Sequence, residues 1–473
     1  MMFSVLESVA LLVTTTVLFG GVAYWLARVA HADTAISKAQ FLVANRSLGY
    51  SEAAFSIAAT WIWAPALFVS AQQAYQHGWI GLFWFTVPNV ACLLIFAYFA
   101  DAIRKKFPAG FTLSEFIGNK LSRRVQYTYW GSLLGLTVCA FAVQLLAGGV
   151  FIEKLTGLPF AWATVALAVL PLAYSLVFGL KSSIVTDFAK MSLIIGLGVI
   201  LVPAVILVGG GSEAILAGLG GTVSQNTDFF APASWALFLS FGLPITIGLL
   251  SGPFGDQSFW QRAFAVERTK VKRSFVTAAF IFALVPLAMG AIGLLAAGNP
   301  GIAVASPQLV NVDTIYALAG VAGVAAFFLI TMSALTSILD SKMSSVASIA
   351  GHDIASRFGL DYLTSARAAI VILAVAAVLV ANIPGLKILH LFLFYGSIRS
   401  ATLIPTICTI LGKPLNEAAT FYGILAALAV GLPVFAYGNF NAVPALIVTG
   451  SLLTVLIPGI SNVVYHVYKK MAV

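Results

Sequence analysis

Two apolar stretches of the sequence are interrupted by proline at points where backbone oxygens would be left free to bind a ligand. Residues 56–66 include Pro65, and residues 237–260 include Pro244 and Pro253, each next to glycine-rich sequence. Proline lacks the N–H that a helix uses and clashes with the preceding turn. The carbonyls between Ala59 and Ile62 are therefore candidates to lack a helical partner. A simple kink would explain either interruption alone, but the pair favours a binding site.

Side chains suited to covalent chemistry are sparse and scattered. The three cysteines each fall inside an apolar run, as buried apolar residues do. The histidines have no metal-ligand spacing, and no Ser-His-Asp arrangement is evident; they are His31, His77, His352, His390 and His466. The sequence therefore predicts a protein that is not an enzyme and holds no cofactor.

The composition indicates an integral membrane protein. Hydrophobic residues make up 60% of the chain and charged residues only 9%, whereas a soluble domain carries roughly a quarter charged residues. The net charge of +9 is divided among short clusters between apolar runs, which is the pattern of membrane loops and argues against a nucleic-acid partner. At roughly 20 residues per crossing, a lipid bilayer could hold a dozen or more helices.

The apolar runs predict an all-α protein of about thirteen transmembrane helices that form a single membrane domain over residues 1–473. The first helix is expected near 5–29, a core near 51–411, and two C-terminal helices near 416–468. The segments expected after the first are 51–76, 79–103, 126–150, 158–180, 184–208, 234–260, 272–297, 313–343, 365–383, 387–411, 416–437 and 442–468.

The placement of Lys and Arg predicts the orientation. Loops after odd-numbered helices carry basic clusters such as Arg104-Lys105-Lys106, whereas residues 209–234 and 298–313 contain none. By the positive-inside rule the basic loops face the cytoplasm. We therefore expect a multi-pass protein of the plasma (inner) membrane with its N-terminus outside and its C-terminus inside.

The interrupted segments are the second and the seventh, five apart. Broken helices at matching positions of two halves are typical of inverted-repeat transporters with a site near the bilayer midplane. The second to sixth helices would form one repeat and the seventh to eleventh the other.

Several motifs resemble those of the sodium:solute symporter family, in order and with matching spacing over residues 41–405. They are Phe41 to Gly49; Ala59-Thr60-Trp61-Ile62 with Ala74-Tyr75 and Gly78; residues 111–116; Gly179-Leu180-Lys181 with Thr186-Asp187; Asp256-Gln257 with Gln261-Arg262; and Ser337 with Asp340-Ser341 and Asp353-Ile354. The resemblance implies the LeuT-type five-plus-five inverted repeat and an ion-coupled transport activity.

The resemblance also implies a sodium site between the second and ninth helices. Its ligands would be the carbonyls of Ala59, Ile62 and Ala334 and the hydroxyl of Ser337, and oxygen ligands suit a hard cation. The chain departs from the family pattern at Ile338, where a second Ser or Thr is usual. One hydroxyl ligand is then missing unless Thr336 or Ser333 replaces it.

Three ionisable residues interrupt apolar segments. Asp187 matches an acidic residue that the family places near the sodium site, and Lys190 follows one turn later. These two could pair with each other, Asp187 could assist sodium release, or Lys190 could supply a cation and make transport proton-linked. Arg399 is expected to have a structural partner, either Asp340 or helix-end carbonyls, rather than to contact solute.

The solute is expected to bind at an aromatic region around the first interruption. Residues 61–64, 81–84 and 256–261 resemble the urea active transporter branch of the family. The resemblance implies solute contacts from Trp61, Trp63, Trp84, Phe85, Asp256, Gln257 and Phe259, with Phe259 as a gate. A flat amide could lie between aromatic faces while Asp256 and Gln257 bind its polar groups.

The sequence thus predicts a secondary active symporter that imports a small polar solute, with urea or a related amide as the first expectation and a sodium gradient as the driving force. Proton coupling and other solutes, such as an amino acid or a short carboxylate, remain open. A symporter-like membrane sensor is the alternative from another class, although it would need an output domain. The resemblance also disfavours sugar, because sugar-transporting members of the family place a carboxylate near the positions of Trp84 and Phe85, and none occurs here.

Overall fold

The computed structural model describes residues 14, 21 and 37–471, apart from several side chains between residues 173 and 185. The part described is helical, with an isolated parallel β-bridge between Leu48 and Val266. The first expected helix, near residues 5–29, falls almost wholly outside it. The α-helices are α1 (Lys38–Val43), α2 (Tyr50–Trp61), α3 (Ala64–Lys106), α4 (Leu113–Lys120), α5 (Arg123–Thr156), α6 (Phe160–Val208), α7 (Gly211–Ala217), α8 (Pro232–Leu237), α9 (Leu243–Leu250), α10 (Gln257–Ala265), α11 (Val271–Gly298), α12 (Val310–Ser348), α13 (Ala355–Phe358), α14 (Tyr362–Ala381), α15 (Ile388–Ser400), α16 (Leu403–Leu411), α17 (Glu417–Ala426), α18 (Leu432–Phe440) and α19 (Pro444–Met471). Short 3₁₀ turns cover Ala44–Arg46 and Pro307–Leu309, and π-helical turns cover Phe238–Gly242, Ile349–Ile354 and Ala427–Gly431.

Each of the other expected segments has a helical counterpart. Among the residues described, 10 helices are long and apolar enough to cross a membrane. The all-α membrane fold is therefore confirmed, while the count of thirteen is approximate because some expected segments share one helix. Helix α6 contains two of them. Helix α3 contains the second half of one and the whole of the next, separated by Gly78, whose φ of 62° interrupts the helical backbone.

Burial separates central helices from peripheral ones. The most apolar window of α5 is 72% buried within the protein, whereas the corresponding window of α14 is 28% buried. A helix that is apolar all round yet little covered by protein must cover its surface with lipid. The central helices α2, α3, α5, α6, α10, α11 and α12 pack against one another and enclose the polar residues discussed below.

The first broken helix consists of α2 and the start of α3. Ile62 (ψ 81°) and Trp63 (ψ 171°) leave the helical region between them. Pro65 lies in the first turn of α3, where a missing N–H costs nothing because that position has no helical acceptor. The proline thus begins the second half of the helix and does not kink a continuous one.

The second broken helix consists of α9 and α10. Residues 251–255 form turns after α9, and Asp256 (φ −122°, ψ 112°) is extended before α10 begins at Gln257. Pro253 lies within these turns. Pro244, by contrast, occupies the first turn of α9 and continues the helix from the π-helical turn. Both predicted interruptions are real breaks in the backbone.

Candidate solute and cation site

Four aromatic rings surround the first helix break. Trp61 and Trp63 stand on either side of it, with ring centroids 4.8 Å apart and nearly parallel planes. Phe259 of α10 presents its edge to Trp61 at 5.0 Å, and Phe392 of α15 meets Trp63 edge-on at 5.0 Å. The break is therefore enclosed by aromatic faces from three separate helices.

Arg399 of α15 joins this group from the opposite side. Its guanidinium carbon lies 5.6 Å from the ring centroids of both Trp61 and Trp63 and 5.2 Å from that of Tyr395. Its Nε donates to the carbonyl of Gly248, in the last turn of α9, at 2.6 Å. The expectation that Arg399 binds a helix-end carbonyl is confirmed.

The second helix break touches the same group through glycines. A Cβ on Gly252 would lie 2.5 Å from the ring of Trp61 and 3.2 Å from Nη1 of Arg399. A Cβ on Gly255 would lie 2.4 Å from the Cβ of Arg399. Only residues without side chains allow the turn between α9 and α10 to approach so closely. We call Trp61, Trp63, Tyr395 and Arg399, with the two glycines, the break site.

Four polar atoms of the break site are buried and have no hydrogen-bond partner among the described residues. They are Nε1 of Trp61, Nε1 of Trp63, Oη of Tyr395 and Nη2 of Arg399. These side chains belong to residues that are only 1–4% exposed. Because buried polar groups in native proteins nearly always have partners, such a cluster is unusual. The break site is thus rich in unused hydrogen-bond donors.

The carboxylate of Asp187 occupies a second polar region, between α2 and α12. It accepts hydrogen bonds from the hydroxyls of Ser56, at 2.6 Å, and Ser337, and it forms a salt bridge with Arg262 at 3.0 Å. The same guanidinium donates to Ser56 at 3.0 Å and to Ser341 at 2.8 Å. Asp187 thus lies beside Ser337, as the family resemblance implies.

The residues expected to bind sodium are all fully buried where α2 approaches α12. Ala59, Ile62, Ala334 and Ser337 are each 0% exposed. The carbonyl of Ile62 belongs to the break, where the helical pattern ends. Ile338 is 1% exposed and packs in the apolar core.

The two hydroxyls considered as replacements at position 338 bond within their own helix. Ser333 donates to the carbonyl of Leu329 at 2.6 Å, and Thr336 donates to the carbonyl of Met332 at 2.8 Å. Both hydroxyls keep lone pairs that a cation could bind, so their role as replacement ligands stays a prediction.

Three buried salt bridges join three helices in a closed ring. Arg262 of α10 pairs with Asp187 of α6 at 3.0 Å, and Lys190 of α6 pairs with Asp340 of α12 at 2.6 Å. The third bridge joins Lys342 of α12 to the carboxylate before α10, that of Asp256. We call these six residues the ion-pair ring. Asp187 and Lys190 thus do not form a salt bridge with each other, and each pairs with a residue on another helix. Asp340 pairs with Lys190 and not with Arg399.

Two predicted solute contacts have structural partners. Asp256 caps α10 by accepting from the backbone N–H of Ser258 at 2.9 Å, in addition to its bridge to Lys342. Gln257 accepts from the N–H of Leu113 at 3.0 Å and donates to the carbonyl of Phe111 and the hydroxyl of Ser348, both at 3.1 Å. The polar atoms of both side chains thus hold α10 in place.

The predicted aromatic contacts divide into two groups. Trp61, Trp63 and Phe259 lie together at the breaks, and Phe85 is one ring further out, 6.2 Å from Phe392. Trp84 lies elsewhere, stacked on Phe229 at 5.7 Å and close to Phe238 at 4.9 Å. The structure does not bring Trp84 into the break site.

Sequence reasoning did not assign Tyr395 and Lys342 to either polar region. Tyr395 precedes Arg399 by one helical turn, so that both face the same direction. This spacing, within an otherwise apolar segment, was a usable signal. Nothing in the sequence specifies that Lys342 pairs with Asp256, because the pairing depends on how α10 and α12 cross.

The two broken helices, packed against α6 and α12, have the arrangement of the LeuT-type inverted-repeat fold. A solved structure of a Na⁺-coupled sialic acid symporter, in a substrate-bound outward-open state, has a similar fold: the TM-score is 0.78 at 17% identity, and 97% of each chain is covered. A closed conformation of MHP1, a nucleobase-cation-symport-1 family transporter, matches with a TM-score of 0.55 at 15% identity over 89% of this chain and 93% of the other. The sodium:solute symporter family profile matches residues 41–427, and the chain belongs to that family.

Several relatives carry urea transport in their names. The urea-proton symporter DUR3 of Oryza sativa subsp. japonica is 24% identical over 89% of this chain and 65% of its own length. The probable urea active transporter 3 of Schizosaccharomyces pombe is 24% identical over 83% of this chain and 63% of its own length. The urea active transporter of Saccharomyces cerevisiae is 21% identical over 85% of this chain and 59% of its own length. This chain spans less than two thirds of these longer relatives.

Proposed function

We propose that this protein is a secondary active symporter that imports a small polar solute together with a cation. The observation that carries the proposal is the meeting of two helix breaks at a buried polar site inside a family fold built for transport. Free polar backbone at membrane depth is tolerated only where it lines a cavity or binds a ligand. Basic residues in the loops favour a plasma (inner) membrane location with the N-terminus outside and the C-terminus in the cytoplasm.

Sodium is the first candidate for the coupling ion. The carbonyls of Ala59, Ile62 and Ala334 and the hydroxyl of Ser337 supply the oxygen ligands that this hard cation prefers. The carboxylate of Asp187, bonded to Ser337, adds negative charge beside them. Ile338 removes one hydroxyl from the set, so we expect weaker sodium affinity than a complete set would give.

A proton is the second candidate, and one observation favours it. Lys190 and Asp340 form a buried salt bridge one helical turn beyond Asp187 and Ser337. In a proton-linked carrier, Lys190 would supply a cation that belongs to the protein itself. One relative is also named as a urea-proton symporter.

Uptake into proteoliposomes tests the proposal and separates the two ions. Purified protein would be reconstituted and given a sodium gradient alone, a pH gradient alone, or neither, with radiolabelled urea and radiolabelled acetate as solutes. We expect accumulation above the no-gradient level with an imposed sodium gradient. Entry into protein-free liposomes would be subtracted throughout, because acetic acid crosses lipid unaided and accumulates on the alkaline side. Accumulation with the pH gradient alone that remains after this subtraction would assign the coupling to protons. Equal entry under all three conditions would contradict symport.

A matched pair of variants tests the sodium site. Ser337→Ala removes a proposed ligand, and we expect the sodium concentration for half-maximal uptake to rise about tenfold, which corresponds to about 1.4 kcal/mol of binding free energy. Ser192→Ala removes a hydroxyl on an exposed face of α6 that donates to the carbonyl of Phe188 and should leave the sodium dependence unchanged. The same dependence in both variants would show that the cation binds elsewhere.

Two observations bear on the chemical class of the solute. The named relatives favour urea or a related amide; the rings of Trp61 and Trp63, whose centroids are 4.8 Å apart, would have to separate before such a solute could lie between them. The polar lining favours a solute with strong hydrogen-bond acceptors, such as a short carboxylate. A symporter-like sensor would bind such a solute without moving it, and the uptake measurement distinguishes the two activities.

A further inference from the structure

The break site carries a positive charge that no carboxylate among the described residues pairs with, and four polar atoms without a hydrogen-bond partner there. We propose that the solute of this symporter carries a carboxylate, bound by Arg399 together with Trp61, Trp63 and Tyr395. The inference rests on the proposed transport function and names the chemical class of its solute. It differs from the amide expected from the relatives.

Hydrogen-bond matching is the first step of the argument. An indole N–H and a guanidinium can only donate, and a carboxylate only accepts, with about four lone-pair positions on two oxygens. Three of the four unpartnered groups, on Trp61, Trp63 and Arg399, are such donors, while the hydroxyl of Tyr395 can also donate. Urea offers one acceptor oxygen and four N–H groups, so its donors would face donors. The carboxylate suits the site better.

The acceptors named so far around the second break each already accept a hydrogen bond. Asp256 accepts from Lys342 and from Ser258. The side-chain oxygen of Gln257 accepts from the N–H of Leu113. The carbonyl of Gly248 accepts from Arg399. An amide would compete for the remaining lone pairs of these acceptors, whereas a carboxylate needs none of them.

Charge balance is the second step. The ion-pair ring contains three acidic and three basic residues, so that its formal charge is zero. Arg399 is 2% exposed, and none of the salt bridges among the described residues includes it. The aromatic faces of Trp61, Trp63 and Tyr395 provide partial compensation through cation–π contact. A buried cation without a counter-ion is costly, and an anionic solute would supply one.

Shape limits the rest of the solute. Beside Arg399, the packing between α9 and α15 leaves no space for even a water molecule, and its lining is otherwise apolar or glycine positions such as Gly248, Phe392 and Gly396. A solute would therefore reach Arg399 only when α9 and α15 separate. A small carboxylate with a flat or apolar remainder matches this lining, whereas a solute with several hydroxyls would bury them without partners.

Matched pairs of compounds that differ only in the head group test the proposal directly. Thermal unfolding of the purified full chain would be followed with acetate and acetamide, propionate and propionamide, and benzoate and benzamide, with urea alongside and with sodium chloride holding the ionic strength constant. Ligand binding raises the unfolding temperature by mass action. We expect at least one carboxylate to raise it in a saturable manner while its amide does not. An amide or urea that binds as tightly as the carboxylates, or no response to any carboxylate, would overturn the proposal.

Two variants assign the effect to the break site. Arg399→Gln should weaken carboxylate binding by about tenfold or more, since a hydrogen bond to a charged group is stronger than a neutral one. Arg124→Gln removes the same group from an exposed position at the start of α5 and should leave binding unchanged. Unchanged binding in Arg399→Gln would overturn the assignment.

A third variant keeps the test decisive if Arg399→Gln fails to fold. Trp63→Phe retains a ring and removes an N–H that has no partner in the protein, so the unliganded protein should lose only the packing of the larger ring and should still fold. Carboxylate affinity should still fall about tenfold. Wild-type affinity in Trp63→Phe would exclude the indole N–H as a ligand. Gradient-driven uptake of urea without any carboxylate binding would retain the symport function and refute this inference alone.

Discussion

The salt bridge between Lys342 and Asp256 offers a direct measurement of what a buried charge costs this protein. Both side chains are about 95% buried. The substitution Asp256→Asn removes the charge but retains an oxygen that can cap α10, since Asn and Asp cap helices equally well. Lys342 would then lie in the protein interior without its partner. Breaking a buried pair in this way costs about 3–5 kcal/mol.

The double variant Asp256→Asn with Lys342→Met removes both charges and keeps a side chain of similar length. Because a buried ion pair is worth little relative to apolar packing, we expect the double variant to recover most of the loss. With an unfolding entropy of about 2.1 cal/mol/K per residue, the single variant should unfold about 3–5 °C below the wild type. Thermal unfolding in a single detergent, at one pH, would provide the comparison.

Equal losses in the single and double variants would refute this reasoning, because the cost would then come from the lost cap or from packing and not from an unpaired ammonium. The same pair of variants also tests a role of Asp256 in binding. If the double variant transports solute with wild-type affinity, Asp256 is a structural residue. A loss of affinity without a loss of stability would return it to the set of solute contacts.

Three further outcomes follow from the structure. Ile338→Thr supplies the hydroxyl that the sodium:solute family pattern has at this position, and it should lower the sodium concentration for half-maximal uptake; an unchanged value would show that position 338 does not face the cation. Gly252→Ala places a methyl group against the ring of Trp61 and should abolish uptake. The control is Gly131→Ala, since position 131 has open space for a Cβ. This control should stabilise α5 by about 0.5–1 kcal/mol and leave uptake intact. Burial alone would raise the pKa of Glu115, but a hydrogen bond and charge interaction with His352, together with bonds from backbone N–H groups, hold that pKa below the ordinary value. Because the folded pKa is depressed, the stabilisation by Glu115 is present above the unfolded pKa and is lost on acidification below about pH 4–5. Glu115→Gln should therefore make the unfolding temperature less dependent on pH in this range.

The fold could be predicted from the sequence because hydrocarbon imposes simple rules. Apolar runs must be helices, and prolines in two of those runs marked both breaks. The sequence pattern did not show that Pro65 lies in the first turn of α3. A proline in the first turn of a helix and one in its interior cannot be distinguished in sequence until the position of the break is known. The count of thirteen helices was less secure because short linkers such as the one at Gly78 do not always separate helices.

The candidate site was only partly accessible to sequence reasoning. Trp61, Trp63 and Phe259 were expected together and lie together, because all three are close to the breaks. Gln257 was expected to bind solute, yet its amide bonds to residues on α4 and α12, which no local pattern encodes. Side-chain partners between distant helices depend on how those helices cross, and the sequence of one chain does not specify the crossing.

The ion-pair ring has an electrical consequence. Its three acidic and three basic groups cancel, so a rearrangement of α10 against α6 and α12 that keeps the pairs together carries no net charge through the membrane field. A current measured during transport would then arise from the carried solute and ion and not from movement of the ion-pair ring. Transport of one sodium ion with one carboxylate would be electroneutral and insensitive to voltage. Transport of one sodium ion with a neutral amide would carry one charge, and the electrical work would be about 2.3 kcal/mol per 100 mV. Because the ring is neutral, the dependence of uptake on membrane potential indicates the net charge of the solute and ion that are carried.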